Sequence, residues 1–503
     1  MKSDPLRPVD TVTNPVIPGF HPDPSVCRVG DDYYLVCSSF EYFPGVPVFH
    51  SRDLVNWTQI GNALDRPSQL WLPRDMPSSA GIYAPTLRHH DGWFWLIVTN
   101  VGDGGNMLFT ATDPAGPWSD PIRLPGVPGI DPDLAWDEDG VCWVTVAGVS
   151  QLRIDPHSGE ALGEPHRLWS GTPGAKAPEA PHLYRVGDHW YLLIAEGGTE
   201  RGHGVSVARG PGPSGPFEPC PANPILTHRG TDHPVQNTGH ADLVQAPDGS
   251  WWMVLLGVRP GGGTPGWHVL GRETFLAPVE WVDGWPVVGA LSPEIPAPPW
   301  PLGPAPLPPA RDDFDRAELA PCWISVRERP ERLCTTRERS GWLTLHADGP
   351  SPDEPGPVFV GRRQQHLACT VRTLVDPAEG RGGLAVRLDE SHHYEIEATA
   401  AEVTVSARIG PLRTVVATAP APAGPVVLGV EITPHPPEGP RTGPDLLALG
   451  FEAPDGTFTP LGTLDGRYLS TEVAGGFTGR VIGMYAAEGT VHFDWFDYTP
   501  LDG

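Results

Sequence analysis

The run DDYYLVCSSF (31–40) is echoed four times further along the chain, as DGWFWLIVTN (91–100), DGVCWVTVAG (139–148), GDHWYLLIAE (187–196) and DGSWWMVLLG (248–257). Each joins a tight acidic or glycine turn to an aromatic-rich apolar run. Each also follows a short strand-like segment: DPSVCRV, APTLRHH, DPDLAWD, APHLYRV and HADLVQA. Two β-rich runs about a tight turn read as an antiparallel hairpin. Recurrence every roughly fifty to sixty residues is the signature of a propeller or array. No window of this region carries a long 3.6-residue apolar period, so residues 1–292 are expected to be all-β, a five-bladed β-propeller.

A propeller brings equivalent positions of its blades together around one axis. Aligned on their opening strands, the five units place Asp23, Ala84, Asp131, Ala180 and His240 at one level. Tyr83 and Glu179 stand one residue earlier in the second and fourth units. Asp23, Asp131 and Glu179 are thus expected to crowd one end of the channel. Three carboxylates in one pocket repel, so at least one should hold its proton unusually well. A protonated acid beside an ionised base is the arrangement acid–base catalysis needs, and glycoside hydrolysis uses a carboxyl pair in this way. Singly, each residue has a plainer reading: a turn-capping Asp before Pro, an exposed Glu179, a core His240, an ordinary ion pair for Arg272 in LGRE. Packing alone, however, would put apolar residues at the axial positions.

Composition narrows the partners. A net charge of −27 and a pI near 5.0 repel nucleic acid and anionic membranes. Neutral or cationic ligands remain open, and so does self-association. The seven cysteines (27, 37, 142, 220, 322, 334 and 369) form no C-x-x-C pair, and several lie in apolar runs. They read as buried free thiols of a reducing compartment, not as a zinc site. The N-terminal MKSDPLRPVD lacks the apolar core of a secretory signal, and no apolar stretch of ~18 residues exists, so a cytoplasmic protein is expected.

Residues 293–310, PEIPAPPWPLGPAPLPPA, are expected to be an extended connector unable to form a sheet ladder, because Pro lacks the amide donor. Beyond it, alternating strands such as LACTVRTLV, HYEIEATA, EVTVSARI, DLLALGFE, RVIGMYAA and VHFDWFDY predict a β-sandwich over 311–503.

The segment NPVIPGFHPDPSVCRVGDDYYLVCSSFEYFPGVPVFHSRDLVNW (14–57) resembles the opening of the glycoside hydrolase family 43 β-xylosidases and α-L-arabinofuranosidases. The likeness continues through GIYAPTLRHHDGWFWLIVT, GIDPDLAWDEDG, APEAPHLYRVGDHWYLLIAEGG, NTGHADLV and LGRETFLAPVEWVDGWPVV, and the sandwich resembles that of the two-domain members. The resemblance implies an exo-acting, inverting hydrolase of xylo- or arabino-oligosaccharides. It makes Asp23 the general base, Glu179 the general acid, and Asp131 an ionised neighbour that orients Glu179 and keeps its proton on. It makes Arg272 and His240 substrate-site residues, with Phe40, Tyr83 and, from the loop AGGFTGR (474–480), Phe477 as pocket walls. No organic cofactor is implied, and no metal is required, although relatives hold a cation or water near the position of His240. An inverting site needs its two carboxyls roughly 6.5–9.5 Å apart to admit water. Two readings compete: a sugar-binding propeller without catalysis, and a retaining five-bladed glycosidase of the fructan-hydrolysing type. The chain departs from the commoner family pattern at Tyr83, where many xylosidases carry Trp, and in PEAPHLY, where Ala180 replaces a glycine. Lys176 lies three residues before Glu179 and is expected to point to solvent.

Overall fold

Each repeated hairpin forms the inner half of a four-stranded antiparallel blade in the computed structural model, which describes residues 10–305, 310–347, 351–377, 380–436, 439–453 and 455–501. The blades open with Ser25–Val29, Ile82–His90, Asp133–Trp136, Glu179–Val186 and Gln236–Gln245. Their second strands, such as Trp93–Asn100, His189–Glu196 and Trp251–Val258, are buried almost end to end. Both faces of a blade pack on neighbouring blades, which is why these strands read as continuous apolar runs and do not alternate.

The ring is closed by its two ends. Thr11–Thr13 pairs antiparallel with Glu294–Pro296. Next to it the side chain of Asn14, buried, donates to the Leu276 carbonyl (2.8 Å) and accepts from the Leu276 amide (3.0 Å). This corrects the expectation for the Pro-rich segment. Its first part does form a ladder, because Ile295 lies between two prolines and offers its own amide and carbonyl. Ile295 joins the core shared with Val12 and Trp252, and Trp300 packs against it. Gly303 then donates to the Asp53 carboxylate at 2.8 Å, so the segment is wrapped onto the first blade. Residues 306–309 of that segment, the first nine residues and the last two lie outside the described residues.

The second domain is a β-sandwich whose two halves share one long strand, Val481–Pro500. Its first part pairs with Arg381–Asp389 and its second with Cys369–Asp376. Gly489, at φ 63°, marks the turn between them. The segments RVIGMYAA and VHFDWFDY are therefore one strand, where two were expected. The strands Val358–Arg363, Leu412–Pro420 and Phe458–Asp465 complete the sheets.

The domains share a core of Phe20, Phe40 and Tyr42 with Ile324, Phe359, Val481 and Tyr485. Tyr42–Phe43 also pairs with Ser325–Val326. At Gly479 the backbones nearly touch: a Cβ there would lie 2.2 Å from the Leu270 carbonyl oxygen. All seven cysteines are free, and among the described residues no helix is long and apolar enough to cross a membrane.

Replacing Asn14 with Ala removes two buried hydrogen bonds and leaves the Leu276 amide and carbonyl without partners. The expected loss is ~2–4 kcal/mol of unfolding free energy, read from urea transitions. A loss under about 0.5 kcal/mol would show that this clamp does not hold the ring closed.

Candidate active site

The aligned axial positions share a backbone peculiarity. Asp23, Asp131, Ala180 and His240 all lie in the left-handed region, with φ of 56°, 53°, 49° and 47°. In the fourth and fifth blades the strand pairing slips there, between Glu179 and His182 and between Gly239 and Asp242. A bulge of this kind bends the strand and re-aims a side chain, here at the mouth of the axial channel. Ala84, the equivalent residue of the second blade, keeps an ordinary φ, but its strand also slips between Ile82 and Pro85.

Asp23 is buried and heavily partnered. It accepts from Ser38 Oγ at 2.6 Å and from Arg272, whose Nη1 lies 3.0 Å from Oδ1 and whose Nη2 lies 3.4 Å from Oδ2. His240 Nδ1 sits 3.3 Å from the same carboxylate. Burial opposes the charge, but Arg272, His240 and Ser38 outweigh it and hold Asp23 below its ordinary pKa. Arg272 is steadied by Thr199 Oγ1 at 3.0 Å and lies over the rings of Phe477 (5.2 Å) and Phe40 (5.8 Å).

Glu179 and Asp131 have no such support. Burial first, then the charges of Asp23 and Glu200, push Glu179 up to about 7 against the pull of Arg272 and Lys176. Burial also raises Asp131 well above the usual carboxylate range, helped by Glu179 and Asp23 and opposed by the Ala180 amide and Arg272. This differs from the expectation of an Asp131 that stays ionised and raises Glu179. Asp131 is the more deeply buried of the two, so it resists ionisation itself. The pair keeps a proton up to about neutral pH. His240 is pushed down to about 3 and His203 to about 4, chiefly by burial, so both rings are neutral there.

Phe40, Tyr83 and Phe477 form an aromatic corner with centroids 5.9–6.0 Å apart. Phe477 comes from the sandwich and is fixed by its amide, which donates to Ser79 Oγ at 2.8 Å. Beside it opens a cavity of about 350 Å³ bounded by Arg272, Asn237 and Glu200 of the propeller and by Glu472, Gly476 and Phe477 of the sandwich.

Residues 12–286 match the family model described as glycosyl hydrolases family 43, and residues 311–499 match the β-xylosidase C-terminal concanavalin A-like domain. The chain belongs to glycoside hydrolase family 43. It is 39% identical to a non-reducing end α-L-arabinofuranosidase of Bacteroides ovatus, over 98% of this chain and 95% of that one. It is also 39% identical to a β-xylosidase of Bacillus subtilis, over 73% of this chain and 74% of its relative. The solved xylan β-1,4-xylosidase of Bacillus halodurans superposes with a TM-score of 0.89 at 33% identity, over 97% of this chain and 100% of that structure.

Within this family 43 chain, sequence reading overlooked a second axial layer. Arg88 plugs the channel below the acids, donating to Asp242 and Asp133 at 2.8 Å each and lying 2.9 Å from His182 Nδ1. Ser25 and Tyr184 complete the coordination of Asp242. Ser25, Asp133, His182 and Asp242 stand two residues beyond the aligned positions, so the strand period of two carried this signal. Ser38, Thr199 and His203 come from connections outside that register. Lys176 pairs with Glu200 and points to solvent. Among the described residues no group of three or more His, Cys, Asp or Glu is arranged to hold a metal ion.

Replacing Arg88 with Met strands two buried carboxylates. The expected cost is ~3–5 kcal/mol, measured by chemical unfolding. Restoring most of it with Asp242→Asn in the same chain would confirm that charge, not volume, is responsible.

Proposed function

We propose that the chain is an exo-acting, inverting glycoside hydrolase that releases β-D-xylose or α-L-arabinofuranose from the non-reducing ends of short oligosaccharides. The observation that carries this reading is the split between two neighbouring carboxyls: Asp23 held ionised by Arg272, and Glu179 held protonated by burial and by Asp23. Asp23 takes a proton from water as its oxygen attacks the anomeric carbon. Glu179 gives its proton to the departing glycosidic oxygen. The water enters on the face opposite the leaving group, so the product anomer is inverted. Asp131 positions the acid by receiving the Ala180 amide next to it. Arg272 and His240 fix Asp23, and the corner of Phe40, Tyr83 and Phe477 walls the terminal sugar. A corner closed by the sandwich favours chain ends. Both sugars are retained because relatives of either name are 39% identical, the arabinofuranosidase over 98% of this chain and the β-xylosidase over 73%. Seven free thiols favour a reducing compartment, the cytoplasm, where imported oligosaccharides would be the substrate.

With short xylo-oligosaccharides, Asp23→Asn and Glu179→Gln should each lower kcat by ~10²–10⁴. On p-nitrophenyl β-D-xylopyranoside or α-L-arabinofuranoside, Glu179→Gln should lose much less, because nitrophenolate leaves without protonation. Activity surviving both changes would sink the assignment of Asp23 and Glu179, whereas sugar binding without hydrolysis by the unaltered chain would leave a sugar-binding propeller as the better reading. NMR of the first product should show α-xylose from a β-xyloside; β-xylose would establish a retaining mechanism.

The pH profile has a definite sign. The rising limb of kcat/KM should lie below the ordinary carboxylate range, as Asp23 ionises, and the falling limb near pH 7, as Glu179 loses its proton. Arg272 lowers both pKa values. Arg272→Ala should therefore move both limbs to higher pH while weakening hydrolysis of both sugars. Unmoved limbs would show that Arg272 does not set the charge on Asp23.

A further inference from the structure

A second cavity, of about 460 Å³, lies at the domain junction and shares no lining residue with the first. It is bounded by His21, Phe49 and Trp57 of the propeller and by Arg362, Arg363 and His366 of the sandwich. The chain contains 61 acidic residues, yet none lines this cavity. Arg363 ends the strand Val358–Arg363 and is 4% exposed. Its Nε and Nη2 have no hydrogen-bond partner, and among the described residues no carboxylate pairs with it. Its Cζ lies 4.5 Å from the centroid of Phe20, a contact that offsets part of a desolvated charge but offers no acceptor. Burial pushes this guanidinium down only to about 10, so it is charged at neutral pH. Burial, together with the nearby arginine charge, keeps His21 and His366 neutral there.

A buried guanidinium without an anion is costly, and its planar fork matches carboxylate and phosphate oxygens. In a chain of net charge −27, a pocket walled by two arginines and free of acids is a local reversal of the molecule's field. We propose that this junction cavity binds a small oxyanion, a phosphate or a carboxylate, through Arg363. The volume leaves room for a sugar-sized skeleton behind the anionic group, with Trp57 and Phe49 as its apolar walls. The site is separate from the acids of the propeller axis, so binding should stabilise the junction without competing for the sugar pocket.

The test uses the full chain at constant ionic strength, with inorganic phosphate, D-glucuronate and neutral D-glucose as probes in calorimetry and thermal unfolding. At least one anion should bind with 1:1 stoichiometry and raise Tm saturably, by about 2 °C or more, while glucose does not. Phosphate binding alone would assign the site to a free inorganic oxyanion. Tighter glucuronate binding would assign it to a carboxylate carried on a sugar. Arg363→Met should weaken the effective anion at least tenfold. If that variant does not fold, Arg363→Lys carries the test: it keeps the charge, loses the fork and should bind several-fold more weakly. No saturable binding of either anion, an equal shift with glucose, or affinity unchanged by these substitutions would overturn the proposal.

Discussion

The fork of Arg272 on Asp23 is the interaction on which the site depends. It joins the last blade to the first, so it exists only when the ring is closed. It also decides how charge is distributed among three acids. One guanidinium cannot neutralise Asp23, Asp131 and Glu179 together. It sits on Asp23, and on the other two its pull is too weak to offset burial and the repulsion of neighbouring acids. An ionised carboxylate beside a protonated one, the pair the proposed mechanism needs, therefore follows from one unequally shared cation, without separate tuning of each group.

Supplying that arrangement requires backbone strain repeated around the ring. Left-handed φ is more tolerable for Asp and His than for Ala. The chain adopts it at Ala180 all the same. The layer beneath explains how. Asp133, His182 and Asp242, tied together by Arg88, lock the strands two residues further in, and the bulges above them have little freedom to relax. The lower layer is thus structural in chemistry but functional in consequence, because it fixes the direction from which each axial side chain enters.

How much of this was legible in the sequence follows from the same geometry. The axial residues share one register, so aligning the hairpins was enough to bring Asp23, Asp131, Glu179 and His240 together. Asp133 and Asp242 were equally legible, since a strand repeats every two residues, but an acid beside an acid reads as redundancy. Ser38, Thr199 and His203 were not legible, because they reach the site from loops whose lengths differ between blades. The Pro-rich segment misled for a specific reason. Proline removes its own donor but leaves the amides of neighbours such as Ile295 intact, and three residues suffice to close the ring. The strand Val481–Pro500 misled because a glycine at its centre reads as a turn, whereas here it carries the chain from one sheet to the other.

The sandwich would pass for an appendage if its strands alone were considered. Its loop 474–480 shows otherwise. Phe477 stands against Phe40, Tyr83 and Arg272, and its amide is held by Ser79 of the propeller. Ser79 is held in turn through its own amide by Glu41, a buried propeller carboxylate whose neighbourhood includes Arg327 and Arg387 of the sandwich. The contact at Gly479 leaves no room for the loop to slide without separating the backbones. The cavity next to the acids is bounded by both domains, and removing the sandwich would delete one of its walls. The three acids belong to the propeller, but the cavity beside them is a property of the two domains together.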